Sequence, residues 1–247
     1  GIIFSFIRYC KISAFTSFVM FYIVPYRKNT VLLNLARSFP EKNEKEIYLI
    51  MRDFYRLFTD NVAEIFKSFS ISATEQAKKV SVTGMELIEN QLLNNKHVII
   101  CMGHCGNWEI LNILSQQAPA NMYAVYKPLR NNVIDRLFLI LRSRFGMQLV
   151  QTKSVVRHIL TNKRNPSVYF FIADQCPKQV EEKYRVMMLN QQTSMFSGVE
   201  KLARSIDAAV MYMHVIRKNR GEYQIIYKPI CVESKNTGET EIIKQYS

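Results

Sequence analysis

The sequence predicts an α/β fold, with a central, mostly buried sheet flanked by helices and an all-helical N-terminal segment before it. Three observations predict it. Two unbroken apolar runs of strand length, 97–102 and 167–173, have the composition of strands buried on both faces. From Val80 onward, strand-like and helix-like stretches alternate. Before Val80 the periodicity is helical throughout. The 247 residues hold one well-buried core or two small ones, and no Gly/Ser linker or composition break divides them. The division expected is a membrane-associated segment at 1–28 and a single domain at 29–247, helical over 29–79 with its α/β core over 80–232.

Residues 2–24 are rich in Ile, Phe, Val, Met and Tyr, interrupted by Arg8 and Lys11. The uncharged run Ile12–Val24 is shorter than the roughly 20 residues of a spanning helix, and no small-residue cleavage site follows it. It reads as a membrane-embedded or interfacial anchor, with a greasy core helix as the alternative. The chain does not begin with Met, so the run fits the remnant of a longer anchor. Tyr26-Arg27-Lys28 would meet anionic headgroups. A helix over 31–38 ends at Phe39-Pro40, and Asn43 with Glu46 forms a capping-box start for the next. Ile47, Met51, Phe54, Phe58, Val62 and Ile65 recur along it at helical spacing as its expected core face, to about Phe69. Ser72 and Glu75 open a short helix by the same device.

In the second part, 80–83 reads as a strand, Gly84 as a turn and 85–94 as a helix leading into the strand 97–102. Gly103 breaks that strand, and Glu109-Ile110-Leu111-Asn112-Ile113-Leu114 suits a helix with Asn107 as N-cap and Glu109 in its first turn. Positions five apart on one helix point about 140° away from each other. His104 can therefore meet Glu109 only from a loop before the helix, with Gly103 and Gly106 supplying the turn. A histidine held by a carboxylate is a general base near neutral pH. Spacing alone leaves open a satisfied strand-end histidine beside an unrelated first-turn Glu.

Residues 122–126 alternate as a further strand, and Lys127 and Arg130 follow at its expected C-terminal end, where open α/β sheets bind ligands. Asn131 caps the next helix and Gly146 stops it, with Ile134, Leu137, Phe138, Leu141 and Phe145 on one face. With Ile134 at zero, Arg142 falls near about 80° and Arg144 near about 280°, flanking that face, while Arg136 points away. Flanking arginines can reach a phosphate or an oxyanion, or form an ordinary basic helix edge. A helix over 154–162 precedes the buried strand 167–173, which Asp174 ends as a site residue or a turn former. Residues 175–183 read as a polar, mobile stretch. A helix over 196–205 and strands at 208–215 and 223–227 complete the core, and the pattern is weak from Glu233 on.

The net charge of +13 calls for an anionic partner, and no zinc finger, RNP box or basic heptad points to nucleic acid. A membrane surface and an anionic substrate remain. The five cysteines show no disulfide framework, which fits a reducing compartment. Cys101, His104, Cys105 and Cys176 lack the paired spacing of a zinc site. Cys105 beside His104 is either a nucleophile or a small filler residue.

Gly103-His104-Cys105-Gly106-Asn107-Trp108-Glu109 resembles the His-x4-Glu box of the lipid A biosynthesis acyltransferases. Four further blocks resemble that family in the same order: Tyr126-Lys127-Pro128-Leu129-Arg130-Asn131, the basic helix from Asp135 to Gly146, Ala173-Asp174-Gln175, and Ser197-Gly198 with Leu202-Ala203-Arg204. The likeness runs from about Pro25 to about Pro229. It implies a mixed sheet of the glycerolipid-acyltransferase kind and O-acyl transfer from an acyl-carrier-protein thioester to a hydroxyl of a lipid A precursor. His104, Glu109, Arg142 and Asp174 would be catalytic, with Asn107, Lys127, Arg130, Arg144 and Gly198 binding substrate. His104 would be the base, Glu109 its holder, and Arg142 with backbone N–H groups near Gly106 and Asn107 the oxyanion site. No metal and no cofactor are expected, acyl carrier protein being partner and co-substrate. The expected location is the cytoplasmic face of the bacterial inner membrane. Rival readings are the same chemistry on an amino-acid lipid or glycolipid, a non-catalytic membrane-surface protein, and a Cys105 thiol hydrolase.

Overall fold

The computed structural model describes residues 11–24, 26–117, 120–177 and 181–246. The first ten residues of the expected anchor, with Arg8, lie outside the described residues, as do 178–180 of the stretch expected to be mobile. The chain divides into two compact units, Gly1–Ser70 with Met187–Thr193, and Ile71–Val186 with Ser194–Ser247.

Among the described residues, the first unit is built of helices and their connections apart from 187–193. Residues 11–18 are helical and continue into a π-helical turn, Val19–Ile23. This segment turns its polar side inward. Ser13, Ser17 and Phe21 are buried, whereas Ile12, Phe15, Phe18, Tyr22 and Ile23 are more than half exposed. The helix Glu44–Ser68 starts with the expected capping box between Asn43 and Glu46. Its buried face is Ile47, Met51, Tyr55 and Thr59, with Phe21 packed on Met51 and Tyr55, so Phe54, Phe58 and Val62 of the expected face are exposed. The reason is rotational: the four-residue recurrence 47–51–55–59 sets the buried direction, and Phe54 and Phe58 lie one position away from it. Among the described residues, no helix is long and apolar enough to cross a membrane.

The second unit holds a seven-stranded mixed sheet in the order β1-β9-β8-β2-β5-β3-β4. Its strands are β1 (Val80–Thr83), β2 (Val98–Met102), β3 (Met122–Tyr126), β4 (Gln148–Gln151), β5 (Val168–Ile172), β8 (Ala209–Asn219) and β9 (Glu222–Cys231). Two short strands, β6 (Arg185–Met188) and β7 (Gln191–Ser194), pair separately as a ribbon. All neighbours in the large sheet are parallel except the β8–β9 hairpin. β2 and β5, the two apolar runs, lie side by side near its centre, and every residue of β2 is buried. Their side chains alternate between two cores, one under Ile100, Met102 and Phe170 and the other under Ile99, Cys101 and Tyr169. That is why neither run shows a polar alternation.

Two expectations are corrected here. The stretch after Asn107 is a 3₁₀ helix, Trp108–Gln116, with Glu109 to Leu114 all buried. The Asn107 side chain makes no cap; the Asn107 backbone carbonyl accepts from Ile110 N–H at 3.3 Å instead. On the helix Asn132–Ser143, Leu141 is buried, while Ile134 and Leu137, assigned to the same buried face, are exposed.

Candidate active site

β2 and β5 are parallel and in register, with Met102 opposite Ile172. Two residues past each partner stand His104 and Asp174, so the register delivers this pair to one point beyond the sheet, on strands about 4.8 Å apart. The Asp174 carboxylate grips the histidine twice. Oδ1 lies 2.6 Å from His104 Nδ1, and Oδ2 accepts from the His104 backbone N–H at 2.8 Å. Burial would raise the Asp174 carboxyl, but these bonds and the histidine's charge leave it below the usual carboxylate range. An ionised carboxylate only accepts, so Nδ1 carries the proton and Nε2 holds the lone pair, with the Gln175 Nε2 amide 3.5 Å away.

Glu109 does not hold the imidazole. Arg142 clamps it bidentately, Nε to Oε2 at 2.9 Å and Nη2 to Oε1 at 2.6 Å, with Glu109 buried. Burial raises the Glu109 carboxyl and the Arg142 contact opposes that rise. The expected pairing of His104 with Glu109 is thus replaced by two pairs, and the strand register is the physical cause. Trp108 stands between them. The Arg142 guanidinium lies 4.6 Å from its ring centre, and the His104 ring meets its edge at 5.9 Å.

The turn that carries His104 away from the 3₁₀ helix depends on glycine at Gly106. Its φ is +61°, and a Cβ there would come within 2.6 Å of the Tyr223 ring. The Tyr223 hydroxyl in turn accepts from Asn107 N–H at 3.1 Å. That N–H is therefore occupied, a correction to its expected place in an oxyanion site. At Gly103 a Cβ would lie 3.3 Å from Asp174 Oδ2, the space the carboxylate uses.

His104, Trp108, Glu109 and Arg142 line one cavity of ≈ 1040 Å³ at the C-terminal ends of β2, β3 and β5. Its inner wall is apolar, with Met102, Leu111, Ala124, Met147, Phe170 and Ile172. Lys127, Arg130, Lys153 and Gln175 line it too, which places two of the expected substrate-binding cations there. Arg144 does not line it. Its guanidinium donates to the Ile71 carbonyl at 3.1 Å and lies over Phe145. Gly198 begins the helix Gly198–Ile206 next to the lining residues Phe196 and Ser197. Asn107 is buried, and neither polar atom of its side chain has a partner among the described residues.

Cys105 and Cys176 are exposed, but burial of the thiol and the charge of Asp174 push the Cys105 thiol up, the wrong direction for a nucleophile. No group of metal-binding side chains occurs among the described residues.

Residues 4–246 match the family model described as bacterial lipid A biosynthesis acyltransferase. The chain belongs to that family. It is 25% identical over 144 residues to the lipid A biosynthesis acyltransferase 2 of Shigella flexneri, covering 58% of this chain and 46% of that protein. It is 21% identical over 197 residues to the lipid A biosynthesis acyltransferase of Haemophilus influenzae, covering 79% and 62%. With the lipid A biosynthesis myristoyltransferase of Escherichia coli K12 it shares 25% over 149 residues, covering 60% and 46%. The chain spans about half the length of the relatives it matches.

In this member of the lipid A acyltransferase family, three residues that build the site carry little signal in the sequence. Trp108 stands there only as one residue of the motif 103–109. Gln76 and Asn112 form a buried amide relay, Gln76 Nε2 donating to Asn112 Oδ1 at 2.6 Å and to the Ile110 carbonyl at 2.8 Å. Asn112 Nδ2 donates in turn to the Leu141 carbonyl at 2.6 Å. Ile110 and Leu141 are the neighbours of Glu109 and Arg142, so the relay fixes the backbones that present that pair. The polar pair Asn112 and Ser115 on an otherwise apolar stretch was the available signal.

Proposed function

We propose that this chain transfers a fatty acyl group from an acyl-carrier-protein thioester to a hydroxyl of a lipid A precursor, with His104 as general base. One observation carries the reading. The histidine whose Nδ1 is held by Asp174 lines a large, apolar-walled cavity together with cations, in a chain of this family. The cavity lies at the upper end of the range for ligand sites, about 300–1,000 Å³.

His104 Nε2 removes the acceptor's hydroxyl proton, and Asp174 stabilises the imidazolium that forms. The alkoxide oxygen attacks the thioester carbonyl carbon, and the carbonyl oxygen becomes an oxyanion. Arg142 presents to the cavity a guanidinium already fixed by Glu109 and Trp108, with Nη1 left to meet that charge. A donor of this kind is worth about 10²–10³ in rate. The C–S bond then breaks, the thiolate takes the proton back from the imidazolium, and the products are an ester and a thiol. Lys127, Arg130 and Lys153 bind the phosphate groups of the acceptor or the acidic carrier. No covalent acyl-enzyme and no metal take part.

The inside-out segment 11–23, with its apolar side chains turned outward, supports attachment to a membrane; the cytoplasmic face is where acyl carrier protein would deliver its thioester in the proposed reaction. The test is acyl transfer from acyl-carrier-protein thioesters to a lipid A precursor by wild type and His104→Ala. The expected loss is about 10²–10⁴-fold with an unchanged unfolding transition. Equal rates in the two proteins would remove His104 from the chemistry.

A further inference from the structure

The helix Asn132–Ser143 carries a wider apolar arc than its packing uses. With Val133 at zero and about 100° per residue, Ile140 falls near −20°, Leu137 near 40°, Leu141 near 80°, Ile134 near 100° and Phe138 near 140°. Leu141 is fully buried, whereas Val133 is 69%, Leu137 43% and Ile140 51% exposed. Ile134 is 42% exposed as well, so most of the arc faces solvent along the helix around Leu141, with Leu129, 41% exposed, at its leading end.

The surroundings of the stripe are cationic. From Lys127 to Arg144 there are five basic residues and one acid, Asp135, and Asp135 is engaged by the backbone N–H of Leu129 at 2.8 Å. Arg142 is committed to Glu109 and Arg144 to the Ile71 carbonyl. Lys127, Arg130 and Arg136 make no ion pair with any carboxylate among the described residues. Arg136 lies near 300° on the helix, at the edge of the stripe. Leu129, Arg130 and Lys127 also line the cavity that holds His104.

We infer that the exposed face of the helix Asn132–Ser143 inserts into the interface of an anionic lipid bilayer, so that the cavity of His104 opens onto the membrane surface. An apolar stripe edged by cations is the pattern of an interfacial helix, whose hydrocarbon side sinks to the acyl boundary while arginine and lysine stay at the headgroups. A soluble acidic protein would satisfy Lys127, Arg130 and Arg136 but would leave Val133, Leu137 and Ile140 in water. A lipid acceptor held in that surface would reach His104 without leaving the bilayer. This consequence rests on the proposed acyl transfer; the insertion itself does not.

The probe is tryptophan fluorescence of Leu137→Trp, with the wild-type signal of Trp108 subtracted, against vesicles of phosphatidylglycerol and phosphatidylethanolamine with brominated acyl chains. Leu93→Trp, at a position 82% exposed on another helix of the same unit, is the control. The expected result is a blue shift and quenching at position 137, absent at 93, weaker on phosphatidylcholine vesicles and reduced by salt. Emission at 137 that is already blue without vesicles would show the face covered by the chain itself or by a second copy, and would overturn the proposal. Absence of quenching with vesicles would do the same, and a shift on adding acyl carrier protein instead would reassign the face to a protein partner. Equal quenching at 93 and 137 would reduce it to attachment without orientation. Because no turnover is read, inactive chemistry leaves this result intact. A paired assay with Val133→Ser/Leu137→Ser should raise KM several-fold for acceptor in vesicles and leave kcat unchanged.

Discussion

The site contains two carboxylate pairs, His104–Asp174 and Arg142–Glu109, that differ in surroundings. At the strand ends, the His104 and Asp174 side chains keep 37% and 29% of their surface exposed. On the helix side, Arg142 and Glu109 keep 14% and 1%. The two carboxylates move in opposite directions as a result. Burial lifts Glu109, and hydrogen bonds from His104 depress Asp174 despite its partial burial. A pair that must exchange protons with a substrate has to reach the cavity, and a pair that holds an arginine in place works best dry. The difference separates a pair open enough to exchange protons from one that fixes the guanidinium which, in the proposed reaction, meets the oxyanion.

The largest expected effect comes from breaking the dry pair. Arg142→Ala leaves Glu109 buried without its cation, and removal of one partner of a buried pair costs about 3–5 kcal/mol. The loss should depend on pH. The folded-state value of Glu109 is already raised, and without Arg142 it rises further. The unfolded chain then ionises first, so stability is fully present below the unfolded value and falls as pH rises through the folded one, across a window above the ordinary carboxylate range. Urea unfolding of wild type and variant across that window measures it. An equal loss at every pH would show that packing on Trp108 and Phe138, rather than charge, is what Arg142 supplies.

Breaking the open pair should cost rate instead of fold. Asp174→Asn keeps a polar partner for Nδ1 but removes the negative charge that stabilises the imidazolium, and kcat should fall about 10²-fold with KM and the unfolding midpoint nearly unchanged. In wild type the stability contributed by Asp174 is present above its unfolded value and is lost as pH falls through its depressed folded value. If Asp174→Asn were fully active while Glu109→Gln were dead, the assignment of the two carboxylates would be reversed.

Much of this architecture was legible because its causes are local. The apolar runs that became β2 and β5, the capping boxes at Asn43 and Ser72, and the cap of Asn131 on Val133 and Ile134 all depend on neighbours within a few residues. The short β4 and β7 carry too few apolar residues to announce themselves, and β6, apolar from Val186 to Met188, is too short to show a period. The sequence singles out His104, Asp174, Glu109 and Arg142, and the structure brings them together, but in pairs the sequence does not predict. Which carboxylate meets His104 follows from Met102 standing opposite Ile172, a register that no spacing within the motif encodes. Val133 and Leu137 fit a helical stripe, yet periodicity cannot tell how much of a stripe another element covers.

The smallest effect tests whether the helix-side pair is supported from behind. Gln76 and Asn112 lie 36 residues apart in sequence, yet their amides join the short helix Ala73–Ala77 to the 3₁₀ helix, and Asn112 alone ties that helix to Leu141. Asn112→Leu keeps the branched outline of the side chain, removes both bonds, and leaves the Leu141 carbonyl only the 3.4 Å bond from the Arg144 N–H, which costs about 1–3 kcal/mol. For a chain of this size each kcal/mol lowers Tm by about 2–4 °C. Gln76→Leu should cost less, because Asn112 keeps its bond to Leu141. The double variant should fall short of the sum, since the Gln76–Asn112 bond is counted in both single changes. Strict additivity would mean that the two amides act separately. If the relay fixes Arg142, Asn112→Leu should also lower kcat by more than its stability loss explains, at a temperature where both proteins are fully folded.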